Sequence, residues 1–74
     1  MAHPRQKELQ RELNARIPRG PRGSRQNELR ARFWFWRVQG RSFDDSLAQA
    51  VEGVRETYPD FQPRLLSPSE SPRA

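Results

Sequence analysis

Cysteine is missing from this 74-residue chain, which rules out disulfide staples, thiolate metal sites and thiol chemistry. Histidine occurs once, as His3, directly before Pro4, where nothing fixes the geometry of its imidazole. One imidazole without thiols makes no zinc site, and no nucleophile stands beside a base as covalent catalysis requires. The four glycines, Gly20, Gly23, Gly40 and Gly53, miss the spacing of a phosphate-cradling loop. Asp44 and Asp45 are adjacent carboxylates, but the start of a helix accounts for both. The chain is therefore expected to be no enzyme and to carry no cofactor or metal. No apolar run approaches the ~20 residues that span a bilayer, and no signal-peptide pattern is present. A soluble intracellular protein, cytoplasmic or comparable, with no membrane partner is the expectation.

Apolar residues are also scarce. Leu, Ile, Val and Phe make up 14 of 74 residues, just below the roughly 20% under which charged chains tend to disorder. So short a chain buries only about 60% of its unfolded surface. A small folded centre with loose ends is expected, and a partner or a second copy of the chain is a natural way to complete it.

What the chain has instead is arginine. Thirteen of its 14 cations are Arg, and the net charge is +5. Residues 1–40 carry ten cations against three acids, whereas residues 41–74 carry four against six. Arg forks match phosphates and carboxylates bidentately, although a GC-rich genome yields the same bias.

Residues 5–16 read as a first helix, rich in Gln, Glu, Leu and Arg, with Leu9, Leu13 and Ile17 forming a narrow apolar stripe. Glu8 with Arg11 and Glu12 with Arg16 are spaced as favourable pairs. Pro18-Arg19-Gly20-Pro21-Arg22-Gly23 stops that helix and serves as a linker or hinge over residues 18–24. Its arginines are placed either to stay solvated or to order on nucleic acid.

Ser24 can cap a second helix over 25–38, with Gly40 just past its end. This helix holds Arg32-Phe33-Trp34-Phe35-Trp36-Arg37-Val38, which has both tryptophans and no acid. At 100° per residue, Leu29, Phe33 and Trp36 share one face, while Ala31, Trp34, Phe35 and Val38 share roughly the opposite one. A helix apolar on two faces is normally sandwiched, and the first and third helices are the expected neighbours. The alternative is an α+β fold with residues 32–38 as a strand, since aromatic and β-branched residues favour strands.

Ser42-Phe43-Asp44-Asp45 opens a third helix over 43–58, with Leu47, Ala50, Val51, Val54 and Tyr58 in one stripe and Pro59 as its stop. Phe61, Leu65 and Leu66 are expected to fold back as an extended strap, and residues 67–74 to be disordered. The fold class is thus mainly α, a small three-helix arrangement. Its regions are a basic helix (1–17), the linker, an aromatic-centred core (25–66) and the tail. The junction Gly40-Arg41-Ser42 looks like the turn of a helix-turn-helix for about ten residues, until Ser46 and Gly53 depart from that motif. A simple helical hairpin explains the same residues.

Function is expected to rest on cations interleaved with aromatics. Arg5, Arg11, Arg16, Arg19, Arg22 and Arg25 are the leading phosphate-contact candidates, with Arg30, Arg32, Arg37 and Arg41 as a second tier. Exposed aromatics can add base stacking, at about 1–3 kcal/mol per base. The reading that follows is an accessory protein binding nucleic acid or a nucleoprotein machine. Its alternative is a regulator or inhibitor that docks Trp34, Phe35 or Trp36 onto an acidic protein surface, because Trp and Arg dominate interface energetics.

Overall fold

The computed structural model describes residues 4–66; the expected disordered tail and His3 lie outside the described residues. Three helices follow one another: α1 (Pro4–Arg16), α2 (Arg25–Val38) and α3 (Phe43–Thr57). Residues 58–66 form a non-helical strap, and no strand occurs among the described residues. The alternative reading of residues 32–38 as a strand is therefore overturned. The run lies inside α2, where good caps at both ends and packing of Leu29 and Phe33 outweigh the strand preference of its aromatics.

The ends of the helices are built from the residues that suit them. Ser24 and Ser42 are N-caps, their hydroxyls accepting from the amides of Asn27 and Asp45. At the other end of α2 the amide of Gly40 donates to Arg37 and that of Arg41 to Trp36, a Schellman closure. That closure needs the left-handed backbone Gly40 adopts, with φ of 97°. The α3 helix ends at Tyr58, whose amide still reaches Val54, immediately before Pro59.

The core joins all three helices and the strap. Leu13 and Ile17 of the first helical segment meet Leu29 and Phe33 of α2, Ala50 and Val54 of α3, and Phe61. Ile17, Leu29, Phe33, Ala50 and Val54 have no exposed surface. Trp34, Phe43, Leu47, Val51 and Tyr58 pack around this centre, with Phe43 edge-on to Phe33 at 5.2 Å. Ser46 is also fully buried, and its hydroxyl has no hydrogen-bond partner among the described residues.

Two local expectations are corrected. The second apolar face of α2 is only partly covered: Trp34 packs against the core and Val38 borders Leu9 of α1, but Ala31, Phe35 and Val38 remain exposed. Three short helices sharing one small core leave no fourth element to cover it. The expected local pair of Glu12 with Arg16 does not form either, because Glu12 bonds Arg37 of α2 at 2.9 Å. Arg16 is drawn instead to the strap, where its Nε donates to the carbonyl of Leu66 at 2.7 Å.

The strap is held chiefly by polar clamps. Gln26 accepts from the amide of Arg64 at 3.0 Å and donates back to the Arg64 carbonyl at 2.8 Å, imitating a β-bridge. The amide of Leu66 donates to the Arg16 carbonyl, and Arg55 donates to the carbonyl of Phe61. Phe61 anchors the strap in the core as expected, whereas Leu65 stays exposed.

Candidate nucleic-acid interface

The ten candidate arginines fall into distinct physical states. Arg30 is buried at 7% exposure, donating to the carbonyl of Ile17 and to Asn14 Oδ1 at 2.7 Å. Its pKa is pushed below the ordinary arginine value, first by burial and then by the nearby charge of Arg19. Arg32, Arg37 and Arg41 are in ion pairs with Glu28, Glu12 and Asp45. Arg16 lies over the ring of Phe43 and Arg25 over that of Tyr58, at 4.4 and 3.9 Å. Arg5 is exposed near the start of α1 and is engaged rather than free. That leaves Arg11, Arg19 and Arg22, all exposed, whose guanidinium groups make no hydrogen bond or ion pair among the described residues.

Arg64 joins this last class and was missed in the sequence reading. The fold places it beside the linker. Gln26 Nε2 donates at once to the carbonyl of Pro18 and to that of Arg64, at 2.9 and 2.8 Å, so one side chain ties linker and strap together. The signal available in the sequence was the fold-back led by Phe61; its register on Gln26 was not.

The linker itself is fixed. Asn27 Oδ1 accepts from the amide of Gly20 at 2.9 Å, and Asn27 Nδ2 donates to the carbonyls of Gly20 and Pro21. Gly20 lies so close to the first turn of α2 that a Cβ there would stand 2.6 Å from Ser24 Oγ and 2.9 Å from Gln26 Cβ. A tight loop is thus locked against the start of α2 and displays Arg19 and Arg22 outward. Residues 13–27 contain four arginines and no acid, and residues 61–66 contain no acid. The result is a cationic pole of Arg19, Arg22 and Arg64 on the clamped linker and strap, with Arg16 at the end of α1, Arg25 at the start of α2 and Arg11 exposed on α1.

The aromatic half of the expected site is divided. Phe33 is wholly in the core and Trp34 packs partly against it. Trp36 is half-buried beneath Arg41, whose guanidinium carbon lies 4.7 Å from its ring centre. Phe35 is 53% exposed and stands edge-on to Trp36 at 5.1 Å. None of the contacts made by these aromatics involves Arg19, Arg22 or Arg64, so the structure does not join the stacking groups to the open cations.

Among the described residues no group of three His, Asp or Glu side chains converges as a metal site, and no helix is long and apolar enough to cross a membrane. Asp45 is engaged by Arg41 and the Ser42 cap. No family model matches the chain, and neither a curated protein nor a solved structure is similar enough to it to count as a match. The molecule is defined by its own geometry: a three-helix domain with a cationic pole at the α1–α2 loop.

Proposed function

We propose that this chain is a small non-enzymatic accessory protein that binds nucleic acid, alone or within a nucleoprotein assembly, through its cationic pole. The observation that carries the reading is the display of Arg19, Arg22 and Arg64 on a loop and strap tied down by Asn27 and Gln26, in stretches that hold no acid. Arg19 is close enough to the buried Arg30 for the two charges to repel. Like charges held together without counter-charges raise the energy of the free protein, and a polyphosphate backbone relieves that energy on binding. Because the loop is already ordered, little conformational entropy is lost when it meets a strand. Contacts of this kind go to phosphates, so they fix affinity and position without reading bases.

The experiment is a titration of a fluorescent duplex and a single strand at several salt concentrations. On a log-log plot affinity should fall linearly with salt, by about 0.9 in slope for each duplex phosphate neutralised. Changing Arg19, Arg22 and Arg64 together to Ala should remove much of that slope while leaving stability within about 0.5 kcal/mol, because these exposed side chains make no hydrogen bond or ion pair among the described residues. An unchanged slope in the triple variant, or no binding at low salt, would discard the reading.

A further inference from the structure

The exposed face of α2 calls for its own account. Ala31, Phe35 and Val38 lie at i, i+4 and i+7, one stripe about two turns long, and all three are exposed. Glu28, Ala31, Arg32, Phe35 and Trp36 line a groove of about 420 Å³ along it. At the far end Val38 meets Leu9, Arg5 and Gln6 of α1 in a second hollow. The central ring is preorganised: Phe35 is braced edge-on by Trp36, whose ring also lies under the Arg41 guanidinium. An aromatic anchor already held in its bound position loses little entropy on docking.

Charge decides what fits. Cations stand around the stripe: Arg32 beside Phe35, Arg41 over Trp36, and Lys7 beside Trp34. Two of these cations already hold an acid, Arg32 with Glu28 of the groove lining and Arg41 with Asp45, but both are exposed i, i+4 pairs, which bind weakly and exchange readily for a partner's carboxylates. A second copy would bring the same cations against themselves, because a two-fold interface joins identical patches, and each chain carries +5. A nucleic-acid strand has no use for Ala31 and Val38. We infer that this face docks an amphipathic helix of another protein, with apolar residues at i, i+4 and i+7 along its seam and Asp or Glu on its flanks. The site is separate from the cationic pole and does not rest on the nucleic-acid reading.

The test uses the whole chain and two tryptophan-free synthetic helices. One has leucines at i, i+4 and i+7 flanked by glutamates; its twin has lysines at the flanks. Emission from Trp34 and Trp36 reports binding. Saturable binding of the acidic peptide is expected, with the basic twin weaker by about tenfold or more, since like charges facing across an interface are rejected. Phe35→Ser, and independently Val38→Ser, should weaken the acidic peptide by about tenfold while circular dichroism and salt-dependent nucleic-acid binding stay unchanged. Absence of acidic-peptide binding, or equal binding of both peptides, would overturn the inference. So would a dimer in sedimentation that Phe35→Ser dissolves, because a second copy would then own the face. Loss of nucleic-acid affinity in Phe35→Ser would assign the face to base stacking instead, and a failure of the Arg19, Arg22 and Arg64 variant would bear only on the pole.

Discussion

Compare the loop at residues 18–24 with the helix that follows it. Both are dense in arginine and neighbours in sequence, yet their cations lead opposite lives. In the loop, Arg19 and Arg22 are exposed and have no hydrogen-bond or ion-pair partner among the described residues, while the backbone beneath them is held by Asn27 and Gln26. In α2, Arg30 is buried, Arg32 and Arg37 are paired, and Arg25 lies on Tyr58. The difference follows from what each segment offers. A helix at the centre of the domain has carbonyls, carboxylates and rings within reach on every side, and arginine's long forked side chain finds them. A loop whose backbone groups are taken up by Asn27 and Gln26 brings no carboxylate to its own arginines. Arginine count alone therefore overstates a binding surface, and the informative quantity is how many guanidinium groups the fold leaves unanswered.

The sharpest way to break this contrast is at Arg30. Changing Arg30 to Ala removes two hydrogen bonds and leaves the Ile17 carbonyl without its donor, so urea denaturation should show a loss of about 2–3 kcal/mol. Arg19→Ala should cost within about 0.5 kcal/mol in the same assay. Equal costs would mean that the two regions do not differ as described.

Asn27 separates the display of the loop from its charge. Asn27→Ala deletes three bonds to Gly20 and Pro21, with an expected stability loss of about 1–2 kcal/mol. Nucleic-acid affinity should fall several-fold through lost preorganisation, but the salt slope should hold, since every cation remains. A reduced slope with unchanged stability would show that rigidity at the loop is irrelevant.

A smaller effect is expected from the paired cations. Arg32→Ala, Arg37→Ala and Arg41→Ala each remove one ion pair, and the exposed pairs of Arg32 and Arg41 are worth about 0.2–1 kcal/mol. The Arg37–Glu12 pair is partly buried and Arg37 also donates to the Arg41 carbonyl, so its loss should cost the most of the three. Each should lower the salt slope less than Arg19→Ala or Arg22→Ala does, because its charge is already answered by an acid. Titrating the five variants side by side checks the ranking, and a paired arginine that matched the loop ones would extend the interface onto α2.

Much of the architecture was legible from local rules. The three helices were readable from the Leu9–Leu13–Ile17 and Leu47–Ala50–Val54 stripes, from the caps Ser24 and Ser42, and from the stops at Gly40 and Pro59. What stayed hidden depends on side chains meeting across distance. Nothing near Glu12 in sequence says that it will choose Arg37 over Arg16. The fixing of a glycine-rich linker by Asn27, and the landing of Arg64 beside it through Gln26, are likewise set by packing. The periodicity of α2 revealed two apolar faces but not that Ala31, Phe35 and Val38 of the second would stay exposed. Of the candidate site, the Pro-Gly composition of residues 18–23 indicated the loop on which Arg19 and Arg22 are exposed; the paired state of the other arginines was not readable from charge spacing.

Gly53 tests the α2 side of the contrast most finely. It sits inside α3, where glycine is about 0.8–1.0 kcal/mol less favourable than alanine. A Cβ added there would stand 2.7 Å from Arg32 Nη1 and 3.2 Å from Arg32 Cζ and Cδ, so the Arg32 side chain has to move. Arg32 is exposed and holds only Glu28, a contact worth about 0.3–0.5 kcal/mol at this spacing. The helix gain outweighs that loss, and Gly53→Ala should stabilise the domain by about 0.5 kcal/mol in thermal or urea unfolding. Destabilisation would mean that Arg32 packs against α3 as a structural strut that cannot swing away. In that case it would belong with Arg30 among the arginines committed to the fold, and the acidic-helix docking face would lose one of its rim cations.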